Sequence, residues 1–255
     1  MPPPYHNPHW PVFNAIPHVP AGAVGYIPTH WVARHGLAGV PHGATPLPAH
    51  QLDRSAVRAI CRNPANPVLF GYVCVMAWGL QGAGPGGAGH VARAWAANAL
   101  LVPKLNALRA GGLSRCDAYD LFTGANAVSG IGPAYFTKLL YFFMPDPNCY
   151  IMDQHTAKSV NILTGFPGIR MVGNAVSQLN KCGNYQAYCE EVDTMAGLTG
   201  VTGEQAEEML MSKGGHHPWP WRAHMRANWP IHAPVGPYSP AAMNAAHPHI
   251  PIQRF

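Results

Sequence analysis

Gly130-Ile131-Gly132-Pro133 and, further on, Asp153 are the residues whose types and spacing best suit chemistry in this chain. Two glycines allow a tight turn through positive φ, and a proline directly after them sits where a helix opens. The N–H groups at such a helix start, together with the positive end of its dipole, form a seat for a phosphate oxygen. Ile131 would point inward and anchor the turn. Asp153 follows the apolar run Tyr150-Ile151-Met152 and opens a new helix at Gln154-His155. An aspartate there can cap the helix, and a carboxylate kept ionised by dipole and hydrogen bonds can also stabilise a developing positive charge. An ordinary turn between packed helices, followed by an ordinary N-cap, would use the same residues.

The elements that must position these groups read as helices. Apolar residues recur at helical spacing, or run on unbroken, over 54–62, 66–81, 90–109 with Pro103 interrupting, 115–122, 133–144, 154–163, 171–180, 184–196 and 203–212. Gly, Pro and Asn turns separate them, and strand signals are nearly absent. The expected class is all-α: a compact multi-helix domain over 51–213, flanked by irregular Pro/His-rich segments at 1–50 and 214–255. Prolines at that density forbid long helices. Trp10, Trp31, Trp219, Trp221 and Trp229 nevertheless punctuate both ends, so these segments are expected to pack onto the domain rather than stay disordered.

Composition narrows the function. Hydrophobic residues make up 48% of the 255, ample for a core, while charged residues are only 11%. The formal charge of +5 leaves room for an anionic partner without requiring one. No apolar run is long enough to span a membrane. Six cysteines without a CxxC pair, and an N-terminus without a secretory pattern, point to free thiols in a reducing cytoplasm. "GPGGAG" at 84–89 satisfies GxGxxG, but no strand precedes it, so a flexible or connecting loop is expected rather than a dinucleotide turn.

The hairpin and the acid together resemble the helix-hairpin-helix DNA glycosylase superfamily. In that superfamily a GxG hairpin holds the DNA backbone and a following D-x-H-x-x-[R/K] carries the essential aspartate. Here these are Gly130, Ile131 and Gly132, then Asp153, His155 and Lys158, with Asp153 twenty-three positions after Gly130. With "CVMAWG" from Cys74, "GIGPAYFTKLLYF" and "YQAYCEEVDTMAG", the chain is most similar to bacterial proteins with the fold of 8-oxoguanine DNA glycosylases. The similarity covers roughly 56–213 and is strongest over 128–160.

The resemblance implies base flipping from double-stranded DNA that carries a damaged or modified base, then cleavage of the N-glycosidic bond with Asp153 beside C1′. Apolar or aromatic wedges replace the lost stacking. Gly130, Ile131, Gly132, Pro133, His155 and Lys158 are the expected DNA contacts; Trp78, Gln81, Tyr135 and Phe136 are the expected pocket, with Gln81 able to read a base edge. Bifunctional members carry a lysine where this chain has Ala134, so a monofunctional enzyme using water is expected. Lys138, one turn further along the same face, is the second catalytic candidate, as a lyase nucleophile; contacting a phosphate or capping a neighbouring carbonyl are its other readings. Cys182 and Cys189 mimic the first pair of an iron–sulfur site, but no cysteine follows them. His216, His217 and His224 lack tight ligand spacing, so no metal or other cofactor is expected. A monomer acting on nucleoid DNA completes the expectation. The excised base stays open between oxidised guanine and a hypermodified phage base. A catalytically inactive DNA-binding module and an all-α interaction protein remain as alternatives.

Overall fold

A computed structural model describes residues 8–20, 22–84, 86–146, 148–215 and 219–229. Helix α1 (His9–Ala15) precedes α2 (Pro28–His35), α3 (Arg54–Arg62), α4 (Val68–Trp78), α5 (Gly87–Ala96) and α6 (Asn98–Ala110). There follow α7 (Arg115–Asp120), a 3-10 turn at Gly124–Asn126, α8 (Pro133–Phe143) and α9 (Gln154–Thr164). The chain then forms β1 (Met171–Val172), β2 (Ala175–Val176), α10 (Cys182–Thr199), α11 (Gly203–Ser212) and α12 (Pro220–Asn228). The fold is all-α, with a single two-stranded hairpin among the described residues. Two compact units divide it: residues 21–153, and residues 1–20 with 154–255.

Within 21–153, α4 is the central element. Its sequence VLFGYVCVMAW is apolar on every side, and Phe70, Tyr72, Val73, Cys74, Val75, Met76 and Ala77 are all buried, against α2, α3, α6 and α8. Helix α3 is amphipathic instead. It turns Val57 and Cys61 inward, and Asp53 caps it by accepting from the Ala56 N–H at 2.8 Å. The helix expected over 90–109 is two helices, and the break falls at Ala97 rather than at Pro103, which lies inside α6.

The other unit joins α1 to α9–α12. Trp221 is fully buried and donates its indole N–H to Ser159 Oγ at 2.8 Å, tying α12 to α9. Lys213 Nζ donates to the Phe13 carbonyl at 2.8 Å and so fixes α1. Short helices thus form inside both Pro-rich ends, and prolines at N1 open two of them, α2 at Pro28 and α12 at Pro220. Residues 1–7 and 230–255 of those ends lie outside the described residues.

One expected helix is not formed. Residues 171–180 make the β1–β2 hairpin, paired Met171 to Val176 and Val172 to Ala175 around Gly173-Asn174, with Gly173 at φ +56. A Gly-Asn pair between short apolar runs favours a two-residue hairpin turn, and that local chemistry outweighs an apolar spacing read from few residues.

Candidate active site

The hairpin owes its shape to one glycine. Gly130 has φ +84, and a Cβ on it would lie 2.2 Å from the His90 carbonyl oxygen and 2.9 Å from the Ala94 nitrogen. The turn is therefore pressed directly onto the backbone of α5. Gly132 departs from expectation: it is extended, at φ −94, and serves as the N-cap residue of α8, with Pro133 next as the first helical residue. Ile131 is buried, as its apolar character requires. The Ile131 N–H closes the turn on the Val128 carbonyl at 3.1 Å.

Asp153 is brought to this turn by Thr137. The Thr137 hydroxyl donates to the Pro133 carbonyl at 2.7 Å and accepts from the Met152 N–H at 3.1 Å, so it ties the residue before Asp153 to the first turn of α8. Nothing in the sequence marked Thr137 out. Asp153 is 7% exposed and Lys138 is 6% exposed. The Lys138 ammonium lies 3.9 Å from Asp153 Oδ2 and donates to the Ala134 carbonyl at 2.7 Å. Because Cα–Cβ bonds tilt toward a helix N-terminus, a lysine at 138 runs back one turn and delivers its nitrogen at the level of residue 134. Its stem lies over Gly79 at the end of α4, where a Cβ would meet Lys138 Cδ at 2.8 Å. Gly79 is the second residue that sequence reasoning passed over. Tyr135 completes the group: burial first, and the Asp153 charge second, hold its phenol above the usual range. A buried carboxylate, an amine and a protonated phenol thus meet beside a glycine turn at a helix start.

A family model described as "Putative 8-oxoguanine DNA glycosylase OGG-like protein" matches residues 17–211. The chain belongs to this OGG-like family. No curated protein and no solved structure matches it. Family membership makes the chain a DNA glycosylase by class, with DNA as its substrate.

The other expected site residues of this OGG-like protein fall elsewhere. Gln81 is fully buried, and its amide Nε2 donates to the Gly130 carbonyl at 3.2 Å, so the group expected to read a base braces the hairpin. Phe136 stacks on Phe122 at 5.5 Å and meets Tyr119 edge-on at 4.9 Å, inside the aromatic core. Trp78 meets Phe142 edge-on at 5.0 Å beneath the Arg54 guanidinium, and its indole N–H has no hydrogen-bond partner among the described residues. His155 and Lys158 lie on α9, in the other unit. Lys158 is buried, donates to Asn174 Oδ1 at 2.7 Å and lies 5.1 Å from the centre of the Trp229 ring. Burial, then the Arg226 charge, lowers its pKa.

No group of three or more His, Cys, Asp or Glu side chains that could hold a metal ion occurs among the described residues. His216 and His217 lie outside them. No described helix is long and apolar enough to cross a membrane. All six cysteines are free thiols.

Proposed function

We propose that this OGG-like protein flips a damaged or modified base out of double-stranded DNA and hydrolyses its N-glycosidic bond, leaving an abasic site. The observation that carries this reading is the buried Asp153–Lys138 pair at 3.9 Å, joined through Thr137 to the turn that opens α8. Cleavage of the bond builds positive charge on the sugar. Asp153 stabilises that charge and orients or deprotonates the attacking water. Amides of the hairpin and of the first turn of α8 take a backbone phosphate. Tyr135, kept protonated, can donate a hydrogen bond toward the same anion. Trp78 is the pocket candidate with a donor to offer a base. His155 and Lys158 extend the DNA contacts. The substrate is oxidised guanine or a hypermodified base of invading phage DNA. The protein acts as a monomer on nucleoid DNA.

A second reading is favoured by one specific contact, the Lys138 nitrogen held at the Ala134 carbonyl. There Lys138 gives a proton to Asp153 and its amine attacks C1′. The C1′–base bond breaks and the base leaves with the bonding pair, taking up a proton. The C1′–O4′ bond then opens, O4′ takes a proton from the attached nitrogen, and the protonated Schiff base that results permits strand cleavage by elimination.

Profiling the bases released from oxidised, phage-modified and unmodified DNA tests the main reading. Asp153→Asn should slow release by about 10²- to 10³-fold while DNA binding persists. Unchanged release would remove Asp153 from the chemistry, and no release by the unaltered protein would favour a DNA-binding module. Borohydride trapping separates the two modes: a covalent adduct lost in Lys138→Met establishes the amine route, and no adduct leaves water.

A further inference from the structure

Helix α4 ends in a cap that sequence rules would build differently. The Gln81 N–H bonds the Met76 carbonyl at 3.0 Å and the Leu80 N–H bonds the Ala77 carbonyl at 3.2 Å, the two bonds of a Schellman motif. That motif needs a left-handed residue, usually glycine, and here the residue is Leu80 at φ 57. Only Leu80 and Trp219 among the described non-glycine residues have positive φ. The glycine is present but one position early. Gly79 has an ordinary φ of −79 and uses its missing Cβ to seat Lys138.

The left-handed backbone closes the cap, but burial of the side chain does not offset the strain, because Leu80 is 46% exposed. A lone exposed leucine in ordinary backbone needs no explanation; one held in a disfavoured conformation does. Everything around it is fixed. Gly79 abuts the Lys138 stem, and the Gln81 side chain holds the hairpin at Gly130. The Gln81 carbonyl accepts from the buried Trp31 indole at 2.8 Å, and Gly82, at φ +88, is pressed against His35. The result is a half-exposed apolar side chain on a backbone held from both sides, between two residues that both touch the site.

We propose that Leu80 is the wedge of this OGG-like protein, entering the base stack to hold open the gap left by the extruded nucleotide. Apolar side chains, leucine among them, unstack a duplex step by entering it, and a held backbone keeps such a side chain presented. The inference rests on the glycosylase reading and adds a residue that acts on the duplex rather than on the sugar.

Leu80→Gly tests it, with Leu80→Asn as a second variant that keeps the left-handed backbone and removes the apolar wedge. Both should melt no lower than the unaltered protein, because the strain is relieved. Excision from duplex 8-oxoguanine DNA should fall by about tenfold or more, and excision from the single strand by much less. Independently of the base excised, a duplex with 2-aminopurine beside a tetrahydrofuran abasic analogue should brighten on binding the unaltered protein and not on binding either variant. Equal brightening by variants and unaltered protein, or none by the unaltered protein, overturns the wedge. So does a loss of excision equal on duplex and single strand. Failure of the unaltered protein to release any base counts instead against the glycosylase reading, and the fluorescence experiment still judges Leu80.

Discussion

Replacing Gly130 by alanine should damage this protein far more than its small volume suggests. A left-handed alanine costs about 1–2 kcal/mol in conformation alone. The added Cβ would also fall 2.2 Å from the His90 carbonyl oxygen, an overlap relieved only by lifting the hairpin off α5. Lifting it breaks the bond from Gln81 Nε2 to the Gly130 carbonyl and leaves a fully buried amide unsatisfied, worth about 1–3 kcal/mol more. Together these come to about 3 kcal/mol or more, within a stability of about 5–15 kcal/mol. The variant should therefore fold but melt about 6–12 °C lower by circular dichroism. Gly112→Ala is the matched control. It shares the conformational cost, with φ +77, but nothing lies within 4 Å of its added Cβ. A Gly130→Ala protein that melts no lower than Gly112→Ala would refute the close approach of the hairpin to α5.

Thiol titration with a small disulfide reagent near neutral pH should reach Cys116 and Cys182 in the native protein and the buried Cys61, Cys74, Cys149 and Cys189 only after unfolding. Burial pushes the Cys74 thiol up to about 12, so its thiolate is not available natively; three or more fast thiols would contradict the burial of these four cysteines. Acid should destabilise the fold through His35, lowered by burial and then by Arg34, and His224, lowered by burial. The native state then binds fewer protons than the unfolded one, so this stability is present above about pH 6.5 and is lost as pH falls below it. A melting temperature that is the same at pH 5.0 and pH 7.5 would count against both histidines.

Much of the scaffold was readable because it depends on local signals. The helices expected over 54–62 and 203–212 form as Arg54–Arg62 and Gly203–Ser212, and Pro133 opens α8 as a proline after two glycines predicts. The turn at Gly130 was legible for the same reason, since few residues tolerate its backbone. What escaped depends on reach and on partners. Gln81 has the amide of a base reader, yet only the tertiary structure shows that amide spent on Gly130. Thr137 and Gly79 carry no motif; they matter because Met152 and Lys138 come to lie against them. Leu80 looked like any leucine, as side-chain type says nothing about a left-handed φ imposed by a helix cap. At Ala134 the expectation followed sequence position, whereas the nitrogen follows the side chain of Lys138.

That backward reach loosens the tie between a reactive atom and its alignment column. An amine can be supplied to one point in space from residue 134 or from residue 138, so loss of the familiar lysine does not by itself announce loss of the group. The second address carries its own condition, written on another helix: a side chain at residue 79 would crowd the Lys138 stem and shift the longer route. Surveys of related chains should therefore score positions 79 and 138 jointly, treating a glycine with a lysine as one inherited trait.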